Sequence, residues 1–353
     1  MRGLADLLRD QGLYVLALRL PGHGTVPAAL LDVDWRDWYA AVDLAARHAA
    51  DRAGPDRPLY LGGFSTGAAL TTLYAVRGLE DPSLPRPRRL ILLSPAIGIP
   101  GAARLTRILS GLSFLPPFEK SKWISVTPEY DPYKYNSFPV NAARQIYDLT
   151  RELGAATTHA HERGLLGDMP DVLAFQSLVD ATISAPEVIR SLFALLPQRD
   201  HELVVFDVNQ RDVLRDMVSP ELRIGMDKLR ETPALPFRLL VVTNLASGSL
   251  EVELRLRPAG ESAEQTLPLD LAWPRGVLSL GHVALPFPAD DPVYGVAPAA
   301  AGAVDYPLGA LTVRGESGTL VVPLGDLARL RSNPFFEVVR ARVQQAVQDD
   351  LGG

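Results

Sequence analysis

An α/β protein with a mostly parallel sheet covered by helices is what this sequence predicts, and three observations predict it. Helix-like and strand-like patterns alternate from the first residue, the order that builds parallel sheets. The run Arg89-Leu90-Ile91-Leu92-Leu93-Ser94 is apolar without alternating, as a strand buried on both faces requires. With 353 residues, 47% hydrophobic and 22% charged, the chain can bury such a sheet.

The elements follow in order. Leu4, Leu7 and Leu8 share a helical face, and Gly12 closes that helix before an extended run from Leu13 to Leu20. Pro21-Gly22-His23-Gly24 turns the chain, and Asp34 caps a helix with Trp35, Trp38, Tyr39 and Val42 on one face. A strand over Arg57 to Gly62 precedes Ser65, and the Arg89 strand follows. The rhythm breaks after Pro100: residues 101–170 read as an inserted helical cap, with the apolar stretch Ile108 to Phe118 and an aromatic turn around Tyr130, Tyr133 and Tyr135. Strands return at Val172 to Gln176 and Leu203 to Phe206, separated by a helix through Val188, Leu192 and Leu195. Residues 1–100 and 171–353 are thus expected to form the two parts of the core.

Phe237 to Thr243 and Leu250 to Leu256, joined by Ala246-Ser247-Gly248, predict a β-hairpin insertion over about 235–260. Leu311 to Arg314 and Thr319 to Val322 read as a second pair, and Ala297 to Ala303 as a loop. Asn333 and Pro334 start a last helix with Phe336, Val339 and Val343 on one face.

Composition excludes several functions. The net charge of -6, with no dense basic stripe, argues against a nucleic-acid partner. Without cysteine there is no disulfide, thiolate metal site or cysteine nucleophile. No apolar run is long enough to span a membrane, and charges at Asp6, Arg9 and Asp10 interrupt the place of a signal peptide, so a cytoplasmic location is expected.

The chemistry centres on Gly63-Phe64-Ser65-Thr66-Gly67, set between a strand and a small-residue helix. A serine on so sharp a turn holds strained backbone angles, and small flanking residues let strand and helix pass closely enough to expose its hydroxyl. Such a serine needs a base, normally a histidine oriented by a carboxylate. His48 in a helix and His201 before a strand read as surface residues, His159 and His161 as cap residues, and His23 as part of a turn. His282 differs: Val277 to Leu280 reads as a short strand, and Gly281-His282 leaves its carboxyl end, where active groups of open parallel sheets gather. Asp180 leaves the end of the Val172 strand in the same way, and Asp207, past the next strand, is its rival. The Thr66 backbone N–H is the candidate oxyanion donor.

The order Ser65, Asp180, His282 is that of α/β-hydrolases. Met1 to Ala96 resembles their monoacylglycerol lipase and lysophospholipase branch: a helix, an extended run, Pro21-Gly22-His23-Gly24, paired tryptophans, the elbow, then Leu92-Leu93-Ser94-Pro95-Ala96. Asp180 with Ile183 resembles that branch's acid loop, although Ser177 stands where glycine is usual. The resemblance implies the α/β-hydrolase fold, a serine hydrolase acting on a small ester or lipid-like substrate, and no metal or cofactor; it implies nothing about oligomeric state. Short-peptide aminopeptidase activity and a catalytically impaired binding protein are the alternatives.

Two departures stand out. About a hundred residues separate Asp180 from His282 where the branch needs only about thirty, so an insertion must lie between them. The helix at Leu4 to Arg9 resembles the family's first helix, so its preceding strands and His-Gly oxyanion loop have no counterpart, which predicts a folded core of weak activity.

Overall fold

Strands that are apolar on both faces can be stable only between two layers, and the computed structural model has that arrangement. It describes residues 1–97, 122–180, 183, 185–209, 231–232, 234–246, 248–296, 307–309 and 329–352. Seven strands form one sheet: β1 (Tyr60–Phe64), β2 (Arg89–Leu93), β5 (Asp171–Ser177), β6 (Glu202–Phe206), β7 (Arg238–Asn244), β8 (Glu251–Arg257) and β9 (Gln265–Ala272), neighbours in that order. From β1 to β7 every pairing is parallel; β8 and β9 are antiparallel additions at one edge. A separate pair, β3 (Trp123–Ser125) and β4 (Phe138–Pro139), lies apart from it.

Alternate residues of each parallel strand enter different cores. Leu90, Leu92, Val172, Ala174, Leu203, Val205, Leu239 and Val241 point to the first. There they meet α2 (Trp35–Ala53), α3 (Thr66–Arg77) and α4 (Val140–Glu162) through Trp38, Val42, Leu70, Leu73, Leu149 and Leu153. Ile91, Leu93, Leu173, Phe175, Val204, Phe206, Leu240 and Val242 point to the second. It is closed by Leu4 of α1 (Arg2–Asp10) and by Phe336, Val339, Val343 and Val347 of α6 (Phe336–Gly352). The missing alternation in the sequence is this double burial.

Local signals explain the helix ends. The Asp34 side chain accepts from Arg36 N–H, and Asp37 accepts from Asp34 N–H at 3.0 Å, a reciprocal cap at the start of α2. Gly12 has φ 86°, a value that glycine adopts without steric cost. Between β5 and β6, α5 (Ala185–Ser191) and a short 3₁₀ turn, Phe193–Leu195, form the crossover.

One expected strand is not formed. Leu13 to Leu20 forms no strand, and Tyr14, Leu16 and Leu18 are exposed, because no strand of the described sheet pairs with it. The strand pair expected within 235–260 is present: β7 continues the parallel sheet, β8 turns back on it, and β9, which the sequence pattern did not reveal, completes the edge. Within 101–170, α4 lies against α3 in the same core as the sheet. The stretches Ile108 to Phe118, Ala297 to Ala303 and Leu311 to Val322 lie outside the described residues.

His201, read from sequence as a surface residue, is wholly buried at the end of the sheet away from Ser65. Its Nδ1 accepts the Val172 N–H at 3.1 Å, which fixes the neutral tautomer with hydrogen on Nε2. Burial, with Arg199 nearby adding repulsion, lowers its pKa from 6.5 to about 4. Protonation would remove that acceptor and charge a dry site, so the unfolded chain binds this proton more readily than the folded one. Stability from this group is therefore intact above pH 6.5 and is lost as pH falls from 6.5 to about 4. Denaturant unfolding at a series of pH values should show it: His201→Asn, which keeps an acceptor, should lose less stability than wild type across that window, by up to about 1.4 kcal/mol per pH unit. Parallel curves would exclude His201 as the acid-labile group.

Candidate active site

The site is assembled at the carboxyl ends of β1, β5 and β6. Ser65 follows β1 with φ 54° and ψ −116°, a conformation that costs energy for any residue with a Cβ. Its frame is held on both sides: Ser65 N–H donates to Leu93 O at 3.0 Å, and Ser65 O accepts from Ala68, Ala69 and Ala96 N–H. Strand and helix approach so closely at Gly63 that a Cβ there would lie 2.4 Å from Ala68 N and from Gly67 C. Gly67, expected to answer the same demand, has no atom of the described residues within 4 Å of its added Cβ. The close approach rests on Gly63 alone. Thr66 opens α3, so its N–H belongs to the first turn, where helix geometry supplies no acceptor four residues back.

Asp180 and His282 meet. His282 Nδ1 and Asp180 Oδ2 are 2.7 Å apart, with the carboxylate fully buried and the imidazole 11% exposed. The other oxygen, Oδ1, accepts Ile183 N–H at 2.9 Å, and Gln176 Nε2 donates to Oδ2 at 3.3 Å. Phe64, the residue before Ser65, packs its ring on the imidazole with centroids 4.8 Å apart. No hydrogen bond joins Ser65 Oγ to His282 among the described residues; such contacts often tighten only when substrate is bound. Asp207, the rival acid, is turned elsewhere: its carboxylate accepts Val208 N–H at 2.8 Å and Thr243 Oγ1–H at 2.9 Å.

The segment before His282 is not the expected strand, and neighbouring strand ends hold it by hydrogen bonds. Asn209, just past β6, donates its N–H to Leu278 O and its Nδ2–H to Val277 O, both at 2.8 Å. Ser177, the last residue of β5, donates Oγ–H to Leu280 O at 2.6 Å. That hydroxyl, together with Asn209, ties down the chain just before His282. A 3₁₀ turn, His282–Ala284, follows; its Val283 and the later Phe287 pack with Tyr130, Val293 and Tyr294. That cluster is braced by Tyr294 and Arg331, which both donate to buried Asp131.

Three other histidines have contacts of their own. His23 Nδ1 is 3.2 Å from Pro21 O and its ring meets Trp38; His48 bonds Tyr14; His159 faces Glu80. Sequence reasoning missed Gln176, and also Ser94, which follows β2 with φ 41° and a buried hydroxyl. A polar residue inside an otherwise apolar strand was the available signal for Gln176. Among the described residues no cluster of three or more His, Asp or Glu is placed to hold a metal, and no helix is long and apolar enough to cross a membrane.

A parallel sheet covered on both faces, with a strained serine at a strand-to-helix turn and a histidine–carboxylate pair at neighbouring strand ends, defines an α/β-hydrolase. The chain belongs to the family described as serine aminopeptidase, S33, whose model matches residues 1–208. Among solved structures it is similar to one reported for LipS and LipT, two metagenome-derived lipolytic enzymes. Identity there is 21% over 65% of this chain and 87% of that chain, with a TM-score of 0.44. It is also similar to a soluble variant of monoglyceride lipase from Saccharomyces cerevisiae in complex with a substrate analogue. Here identity is 16% over 59% of this chain and 73% of that one, with a TM-score of 0.40. No curated protein matches the chain.

The two elbow glycines should respond oppositely to the same substitution. Gly63→Ala forces a Cβ into backbone that cannot move aside and should cost at least about 3 kcal/mol, or abolish folding. Gly67→Ala, in open helical space, should be neutral or add up to about 1 kcal/mol. Chemical denaturation of both variants measures this, and equal losses would contradict the one-sided close approach.

Proposed function

We propose that the protein is a serine hydrolase of carboxylic esters, lipase-like or lysophospholipase-like. His282 Nε2 takes the proton of Ser65 Oγ as that oxygen attacks the acyl carbonyl, and Asp180 holds the imidazole by its Nδ1–H and stabilises the imidazolium. The Thr66 N–H donates to the developing oxyanion. The alcohol leaves with the proton returned by His282, and water then hydrolyses the acyl-enzyme by the same route in reverse. The observation that carries this reading is the 2.7 Å contact between a buried Asp180 and His282, beside the ring that adjoins Ser65. The choice of an ester rests on the resemblance of Met1 to Ala96 to the monoacylglycerol lipase branch.

The cap over 101–170, between core parts 1–100 and 171–353, belongs to the same proposal, with its apolar stretch as the acyl wall. Each methylene buried there contributes up to about 0.8 kcal/mol, so kcat/KM should rise from acetyl to decanoyl esters. The family's description favours a second reading, release of N-terminal residues from short peptides.

A fluorophosphonate probe with a matched panel of acyl esters and aminoacyl anilides tests both. Ser65 should be labelled, Ser65→Ala should be silent, and Asp180→Asn should lower kcat by about 10⁴, as loss of the orienting carboxylate does in a serine triad. Faster turnover of the anilides than of the esters would favour the peptidase. A folded wild type that neither labels nor turns over either class would leave a binding protein on a hydrolase fold.

A further inference from the structure

Gln176 is wholly buried in a strand whose other inward residues on that face, Val172 and Ala174, are apolar. Its Nε2 faces three acceptors: Ile183 O at 3.0 Å, Ser177 O at 3.2 Å and Asp180 Oδ2 at 3.3 Å. Turning the amide over would put an oxygen against those three oxygens, so the network fixes its orientation. The cost falls on Oε1, which is buried with no hydrogen-bond partner among the described residues. A leucine or methionine would fill the position without burying an orphan carbonyl. What glutamine adds is a pair of N–H donors, aimed at the loop that carries the carboxylate and at the oxygen that meets His282.

We propose that Gln176 is a positioning residue for the Asp180–His282 pair: its amide pins the loop from Ser177 to Ile183 and orients the carboxylate oxygen that receives the imidazole N–H. The proposal deepens the serine-hydrolase reading and takes its catalytic consequence from it. Asp180 Oδ1 is held by Ile183 N–H and Oδ2 by Gln176, so the carboxylate plane is fixed from both ends. His282 inherits that plane through a single hydrogen bond, and Phe64 supports its ring face. Among the described residues, Asp180 is the one charged group bonded to His282. Asp207, at the neighbouring strand end, is turned to Thr243.

Two near-isosteric variants of the full chain vary the donors while keeping the volume. Gln176→Met removes the donors and keeps the volume. Gln176→Glu puts a carboxyl group beside Asp180, where burial and the like charge favour its protonated form, which keeps one donor and adds no charge. The His282 ring signals, assigned by comparison with His282→Asn, are followed by NMR over pH beside steady-state ester hydrolysis.

For Gln176→Met we expect a shifted and broadened His282 Nδ1–H resonance, and kcat lowered about tenfold or more with KM within about twofold. For Gln176→Glu, which keeps one donor, the His282 Nδ1–H resonance and kcat should fall between those of wild type and Gln176→Met. Unchanged His282 signals in both variants would overturn the proposal, even if activity fell. Should Gln176→Met fail to fold, Gln176→Glu carries the same test through the His282 Nδ1–H resonance. Altered His282 signals in a protein that neither labels at Ser65 nor hydrolyses esters would uphold Gln176 as the positioning residue and reject the serine-hydrolase reading instead.

Discussion

Parallel pairing from β1 to β7 is the constraint on which everything else depends. Strands that all run one way bring their carboxyl ends to one edge of the sheet, and crossovers of helical length must then cover both faces. Ser65, Asp180 and Asn209 are each the first or third residue beyond such an end, so three segments distant in sequence become neighbours without any local motif joining them. The double burial that makes the strands monotonously apolar is therefore also what leaves a polar, chemically useful rim.

At the opposite rim the same geometry gathers charge. Arg89 pairs with Asp200 and Asp350, and Glu202 receives both Arg238 and Arg342, so the strand starts are stitched to the end of α6. Ion pairs of this kind add little net stability because desolvation offsets their attraction, but an unpaired member would be costly. Their effect is to fix where α6 lies, and α6 closes the second core behind the site.

Much of this was legible in the sequence because it depends on local chemistry. Gly63 and Ser65 announce a strand-to-helix turn, Asp34 and Asp37 announce a cap, and the apolar run at Leu90 announces a buried strand. The Asp180 and His282 pairing could be named from chain order and strand ends. What the sequence hid depends on partners. Leu13 to Leu20 has the pattern of a strand but no strand beside it among the described residues, and a pattern cannot report a missing neighbour. His201 looks like any polar residue before a strand until the sheet end closes over it. Gly67 looked equivalent to Gly63, yet only one faces the helix backbone. Val277 to Leu280 reads as a strand, yet it is held by the side chains of Ser177 and Asn209 as well as by one backbone bond.

Those anchors make the position of His282 independent of the length of chain that delivers it. The entropy of closing a loop grows only with the logarithm of its length, about 0.6 kcal/mol per doubling, so an intervening stretch on the scale of a small domain adds little to the cost of bringing His282 back to Asp180. With the landing point fixed by Ser177 and Asn209, the length of the outer strands β8 and β9 at the sheet edge does not set where His282 arrives. The chemistry is insulated from the architecture inserted in front of it.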